Sequence, residues 1–307
     1  MHSAFSGPGV TLTTMRRVIA CVALLVAAVT ATQAARPVDS AGAARLLARV
    51  SQRVEEYFAR AQSIVCRETV RLQPLGMDLS GDGSHVRQLV YELRVAWDAS
   101  TTGDKAPEAT VVRQLISVDG RPPKADNEPG CMDPKPVSPE PLAMLLARRQ
   151  PEYAFRWSSE KRTREGSTVV LDFKAVSHQA PEVSWKGDCV SVDLPGRWRG
   201  RVWIESGTAD VLRLDEQMIG IFEIPVPKER ARRTRGEPMI IDRADSSTRY
   251  RPVAFRDPDE IVMLPESITT VQVIRNAGLP RLRMTQTFSD YRRFITGARI
   301  IDDPELR

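Results

Sequence analysis

In residues 86–97, VRQLVYELRVAW, Leu89, Tyr91, Leu93, Val95 and Trp97 share one face, while Gln88, Glu92 and Arg94 share the other. Period-two alternation of this kind describes a strand with one face buried. Twelve residues of it extend about 40 Å. The next run, TVVRQLISVDG, places Val112, Ile116 and Val118 on one expected face and closes on an Asp-Gly turn. STVVLDFKAV, GRVWIES, DVLRLDEQM, PESITTVQVIRN and RLRMTQTFSDYRRF follow, with Gly, Pro and Asp between them. Many strands without alternating helices predict an antiparallel sheet rather than β-α-β units.

One segment breaks the pattern. In residues 43–65, Leu47, Val50, Val54, Tyr57, Phe58, Ala61 and Ile64 recur at steps of three and four, with Arg49, Gln52, Arg53, Glu56 and Arg60 opposite. This is an amphipathic helix about 35 Å long. A long twisted sheet curls, and its concave face must be filled or hold a ligand. The helix matches the strands in length, so the sequence predicts a mainly β (α+β) fold: a curved antiparallel half-barrel around its own N-terminal helix. A second, short helix is expected over 139–149, with Ser138 as N-cap and Pro139 at its first position. It would cover the same concave face. The proline-rich stretch before it reads as a loop, and a mobile basic loop is expected near 227–247.

The N-terminus has the order of a secretory leader: Arg16 and Arg17, an apolar run from Val18 to Val29, then small and polar residues to Ala34. The run is 12 residues, short of the roughly 20 that cross a bilayer. The leader logic begins at Met15, not Met1. Cys21 opens the apolar run, whereas an acylated cysteine would follow it, so lipidation is rejected. Residues 1–34 are therefore expected to be removed near Ala34, leaving 40–307 as a single exported domain, periplasmic or extracellular. Removing Arg16 and Arg17 lowers 44 basic residues to 42 against 39 acidic, a net charge of +3. That balance, with 6% aromatic residues, argues against nucleic acid.

Three cysteines remain. Cys131 and Cys189 lie in turn-like surroundings that suit a disulfide, and Cys66 reads as a small buried hydrophobe. No Cys-x-x-Cys pair with a neighbouring histidine exists, so no metal and no cofactor is expected. His85 and His178 sit in polar, turn-like surroundings, and no Gly-x-Ser-x-Gly or glycine-rich phosphate loop occurs. Asp257, Asp259 and Glu260 lack the further ligands of a calcium loop and read as a solvated turn. No catalytic residue is assigned. Leu93, Val95, Trp97, Phe173, Trp203 and Phe288 are the candidates to line an apolar ligand cavity. Lys228, Arg230, Arg232, Arg233 and Arg235 are candidates to meet an anionic partner, against the plainer reading of a solvated hairpin tip.

The ribbon GRVWIESGTADVLRLDE resembles one found in the LolA-like (outer-membrane lipoprotein carrier-like) superfamily of exported proteins. Gly200, Trp203, Ile204, Val211 and Arg213 hold the matching places, with Glu205 where an Asp is usual. VMLPESITT, TFSDYRRF, SIVCRETV and LISVDGRPPKAD are similar to uncharacterised secreted proteins of soil bacteria associated with that fold. The resemblance implies a half-open barrel with helices over its concave face and a non-enzymatic role in holding a lipid, acyl chain or lipoprotein. No family residue for cargo transfer maps onto this chain. The alternative is an envelope interaction or assembly module with a filled core, meeting a protein partner through an edge strand or the basic loop.

Overall fold

The computed structural model describes residues 40–61, 63–97, 109–124, 131, 133–134, 141–164, 166–186, 189–228, 237–256, 259–276 and 281–293. The residues expected to form a leader, Asp257 and four arginines of the basic stretch (Arg230, Arg232, Arg233 and Arg235) lie outside them. Helix α1 (Ser40–Arg60) is followed by β1 (Ile64–Leu75), β2 (Arg87–Trp97), β3 (Ala109–Val118), β4 (Tyr153–Arg162), β5 (Ser167–Ala175), β6 (Glu182–Lys186) and β7 (Cys189–Asp193). Then come β8 (Trp198–Glu205), β9 (Val211–Met218), β10 (Phe222–Ile224), β11 (Met239–Arg256), β12 (Asp259–Arg275) and β13 (Arg281–Arg293). All but β6 and β7 join one open antiparallel sheet, ordered β3-β2-β1-β13-β12-β11-β9-β8-β5-β4, with β10 paired to β11. It is not closed into a barrel, as the half-barrel expectation required.

One face of this sheet carries the core. Ala43, Leu46, Leu47, Val50, Val54, Tyr57 and Phe58 of α1 pack on Val169, Leu171 and Phe173 of β5, Val202 and Ile204 of β8, Leu214 of β9, and Val253, Phe255, Val262 and Leu264 of β11 and β12. Their helical spacing is the stripe read from the sequence. The helix is shorter than the stripe suggested. It stops at Arg60, Ser63 turns the chain with a left-handed φ of 58°, and Ile64 and Val65 open β1. Both are apolar and so extend a helical pattern while serving a strand.

The second helix is corrected as well. Where 141–152 is described, the chain forms 3-10 turns, Leu142–Leu145 and Gln150–Glu152. The segment is tied to α1 by Ala147, between the turns, and by the Gln150 side chain. Ser51 Oγ accepts a hydrogen bond from the Ala147 N–H at 2.7 Å, and the Gln150 amide donates to the Leu47 carbonyl. Leu145 and Leu146 are fully buried beneath. The loop expected to run to residue 247 ends by Met239, where β11 begins; Met239 and Ile241 alternate into a second apolar cluster with Met218, Phe222 and Ile224. The β6–β7 ribbon packs on that cluster through Trp185, Val190 and Val192.

Candidate functional site

The sheet face left by α1 at its C-terminal end forms an open apolar cleft. Tyr57 and Ala61 supply the helical side, Ile64, Cys66, Leu93, Val95 and Trp97 come from β1 and β2, and Leu264, Pro265, Phe288 and Tyr291 come from β12 and β13. The strands place these residues by alternation: Cys66, Leu93 and Phe288 share one inward row, since β1 pairs Cys66 with Leu93 and Glu68 with Phe288. A register shift between Val65 and Arg67, beside Asp290 at φ 53°, re-aims the end of β13 so that Tyr291 joins the cleft. The Tyr291 hydroxyl donates to the Pro265 carbonyl at 2.5 Å, and the Arg251 guanidinium lies 5.8 Å from its ring centroid. At the mouth, Phe58 and half-buried Trp97 meet edge to face with centroids 4.7 Å apart.

The rim is charged. Arg293 donates to the Arg60 carbonyl at 2.7 Å, satisfying a carbonyl at the end of α1 where a cation suits the helix dipole, and also pairs with Glu260. Beneath the cleft lies a polar network that the sequence reading missed. Glu68 is fully buried, receives Arg113 Nε at 2.7 Å and is hydrogen-bonded by Gln286 at 2.6 Å. Its only sequence signal is parity: Glu68 lies between Cys66 and Val70 on the inward register of β1. Burial, reinforced by the Glu68 charge, pushes the neighbouring Cys66 thiol up to about 12, so it stays protonated and unreactive near neutral pH.

Four of the six cavity candidates, Leu93, Val95, Trp97 and Phe288, line this one cleft. Phe173 is buried elsewhere, under α1 with Tyr153 and Phe155. Trp203 must be corrected. Val202 and Ile204 take the inward positions at 0% exposure, so Trp203 faces outward, where the Arg213 guanidinium covers its ring at 4.7 Å. Val118 is corrected likewise. A β-bulge in the β2–β3 pairing puts Leu115 and Val118 in the inward cluster and leaves Val112 and Ile116 exposed. Lys228 is exposed beyond β10. Cys131 and Cys189 form a disulfide, fastening the proline-rich loop to the β6–β7 ribbon. The same loop brings Asp133 to Arg87 at 2.9 Å.

A second cleft runs along α1 between Arg53, Tyr57 and Arg60 on one side and Asp210, Tyr250 and Ile261 on the other. Each cleft has a volume of about 30 Å³. That is room for a water or two. Pockets for drug-sized ligands run to hundreds of Å³. His85 is exposed and meets Asp119 at 3.2 Å, His178 is exposed, and Glu260 is engaged by Arg293. Among the described residues no group of three or more His, Cys, Asp or Glu side chains is placed to hold a metal ion.

No family model and no curated protein matches the sequence. Among solved structures, the chain is similar to a LolA superfamily protein from Nitrosomonas europaea (9% identity, TM-score 0.35, 81% of this chain and 94% of that one). It is also similar to a domain from Vibrio parahaemolyticus described as an outer membrane lipoprotein-sorting protein (12%, 0.31, 82% and 94%). A third is a DUF1329 family protein from Desulfovibrio piger (9%, 0.38, 82% and 92%). Likenesses of this degree assign no role, and the functional reading rests on the cleft itself.

Proposed function

We propose that the chain is an exported, non-enzymatic binding protein that takes the end of an apolar ligand, a lipid tail or acyl group, into the cleft at the C-terminal end of α1. The observation that carries this reading is the convergence of Leu93, Val95, Trp97 and Phe288 with Tyr57 and Tyr291 around one open apolar mouth. α1 occupies the concave face, so admitting a whole acyl chain requires the C-terminal turns of α1 to move. The volume of about 30 Å³ also favours a second reading, an envelope interaction module whose core is permanently filled by its own helix.

Titration with a fluorescent dodecanoic acid separates the two. The first reading expects saturable binding that Trp97→Glu weakens at least tenfold, while Trp203→Glu, on the opposite face, leaves it unchanged. Both substitutions are at half-buried positions, and circular dichroism checks that each variant folds. Absence of saturable binding by the unaltered chain selects the second reading.

A further inference from the structure

The two edges of the open sheet differ in chemistry. At one edge β4 carries Arg156, Glu160, Lys161 and Arg162, the charged protection that natural edge strands use against pairing. At the other edge β3, ATVVRQLISV, has a single charge, Arg113, and that charge is turned inward onto buried Glu68. Its outward side chains include Val112 and Ile116, 52% and 44% exposed. Among the described residues β3 pairs with β2 on one side and with no strand on the other, where Val118 at its end bonds Arg121 of the turn that follows.

The order of residues along β3 points to what pairs there. In an antiparallel self-pair about a two-fold axis normal to the sheet, directly opposed residues share a face, so one residue must meet its own copy. Centring the axis on Arg113 would set two cations together. Centring it on Gln114 sets Gln114 against Gln114, whose amides hydrogen-bond one another, and Arg113 against Leu115. It also sets each Val112 against the other copy's Ile116, so both exposed apolar residues of the strand are covered at once. Ile116 is itself the unpaired extra residue of the bulge against β2, and the segment from Ala109 to Leu115 pairs with β2 in unbroken register.

We propose that β3 is a homodimerisation edge, two copies pairing antiparallel about Gln114 to make one continuous sheet. Because β3 flanks the cleft strand β2, both clefts then open on the same side of the assembly. This holds whether or not the cleft binds lipid.

Sedimentation and oxidative cross-linking of the exported chain test the proposal. Cys131 and Cys189 are joined and Cys66 is buried, so an introduced thiol reports alone. Gln114→Cys is expected to give a covalent dimer, whereas Thr110→Cys, about 26 Å from its own copy in this register, is not. Val112→Lys is expected to raise the dimer dissociation constant at least tenfold, and V112K/I116E in one chain to restore it by opposing the new charges. A chain that sediments as a monomer at 100 µM, as a rough upper bound for such contacts, overturns the proposal. So does Thr110→Cys cross-linking as readily as Gln114→Cys.

Discussion

Gly200 lies in β8 between β5 and β9. A Cβ there would sit 1.8 Å from the Asp215 carbonyl oxygen and 2.9 Å from the Phe173 ring, and the first of these is backbone that cannot step aside. Gly200→Ala should therefore cost stability at the upper end of about 1–3 kcal/mol, read as a lowered urea midpoint with unchanged slope. The sequence made Gly200 visible as part of a ribbon, but not the contact that demands it. Trp203 and Ile204 tell the same story. Alternation says that neighbours face opposite ways, yet which one meets the helix depends on the whole sheet. Glu68 is harder still, because a lone acid in a strand reads as solvated until Arg113 and Gln286, from two other strands, are seen around it.

At the scale of elements, the ribbon that opened the resemblance holds the helix. Arg49 donates to the Ser206 and Gly207 carbonyls and Arg53 pairs with Asp210 at 2.6 Å, so the β8–β9 turn grips α1. Glu205 shapes that turn. The Thr208 N–H donating to it at 2.5 Å, with Gly207 and Arg49 also favouring the charged form, holds the carboxyl below its ordinary 4.5 against the opposing effect of burial. A depressed folded value means a contribution that is whole above pH 4.5 and lost as pH falls through the folded value. Thermal unfolding across pH should thus separate the unaltered chain from Glu205→Gln at pH 7, with the gap closing below pH 4.5. Equal gaps at all pH values would contradict this role for the carboxylate. The turn's place between strands was legible from its Gly-Thr-Ala-Asp punctuation, but its grip on α1 was not, since Arg49 and Arg53 read simply as the helix's polar side.

Across the whole molecule, antiparallel strands, an N-terminal helix on one face and an unclosed sheet followed from alternation and matched lengths. The placement of β1 beside β13 did not, because strands more than two hundred residues apart share no local signal. The short second helix failed for a related reason: the Ala147 N–H and the Gln150 side chain bond to α1, and that tertiary tie outweighed local propensity. The Cys131–Cys189 bridge spans a sequence separation of 58 residues. Loop-closure entropy puts its removal at about 4 kcal/mol, so C131S/C189S should melt well below the unaltered chain, and an unchanged melting temperature would deny it that role. The central claim, an apolar ligand held at the end of α1, is tested most directly by native mass spectrometry of the chain purified from the cells that make it, followed by organic extraction. The account predicts a co-purifying lipid or acyl compound that is lost in Trp97→Glu and kept in Trp203→Glu. A chain that arrives with no adduct, and whose melting temperature no added lipid raises, would contradict it.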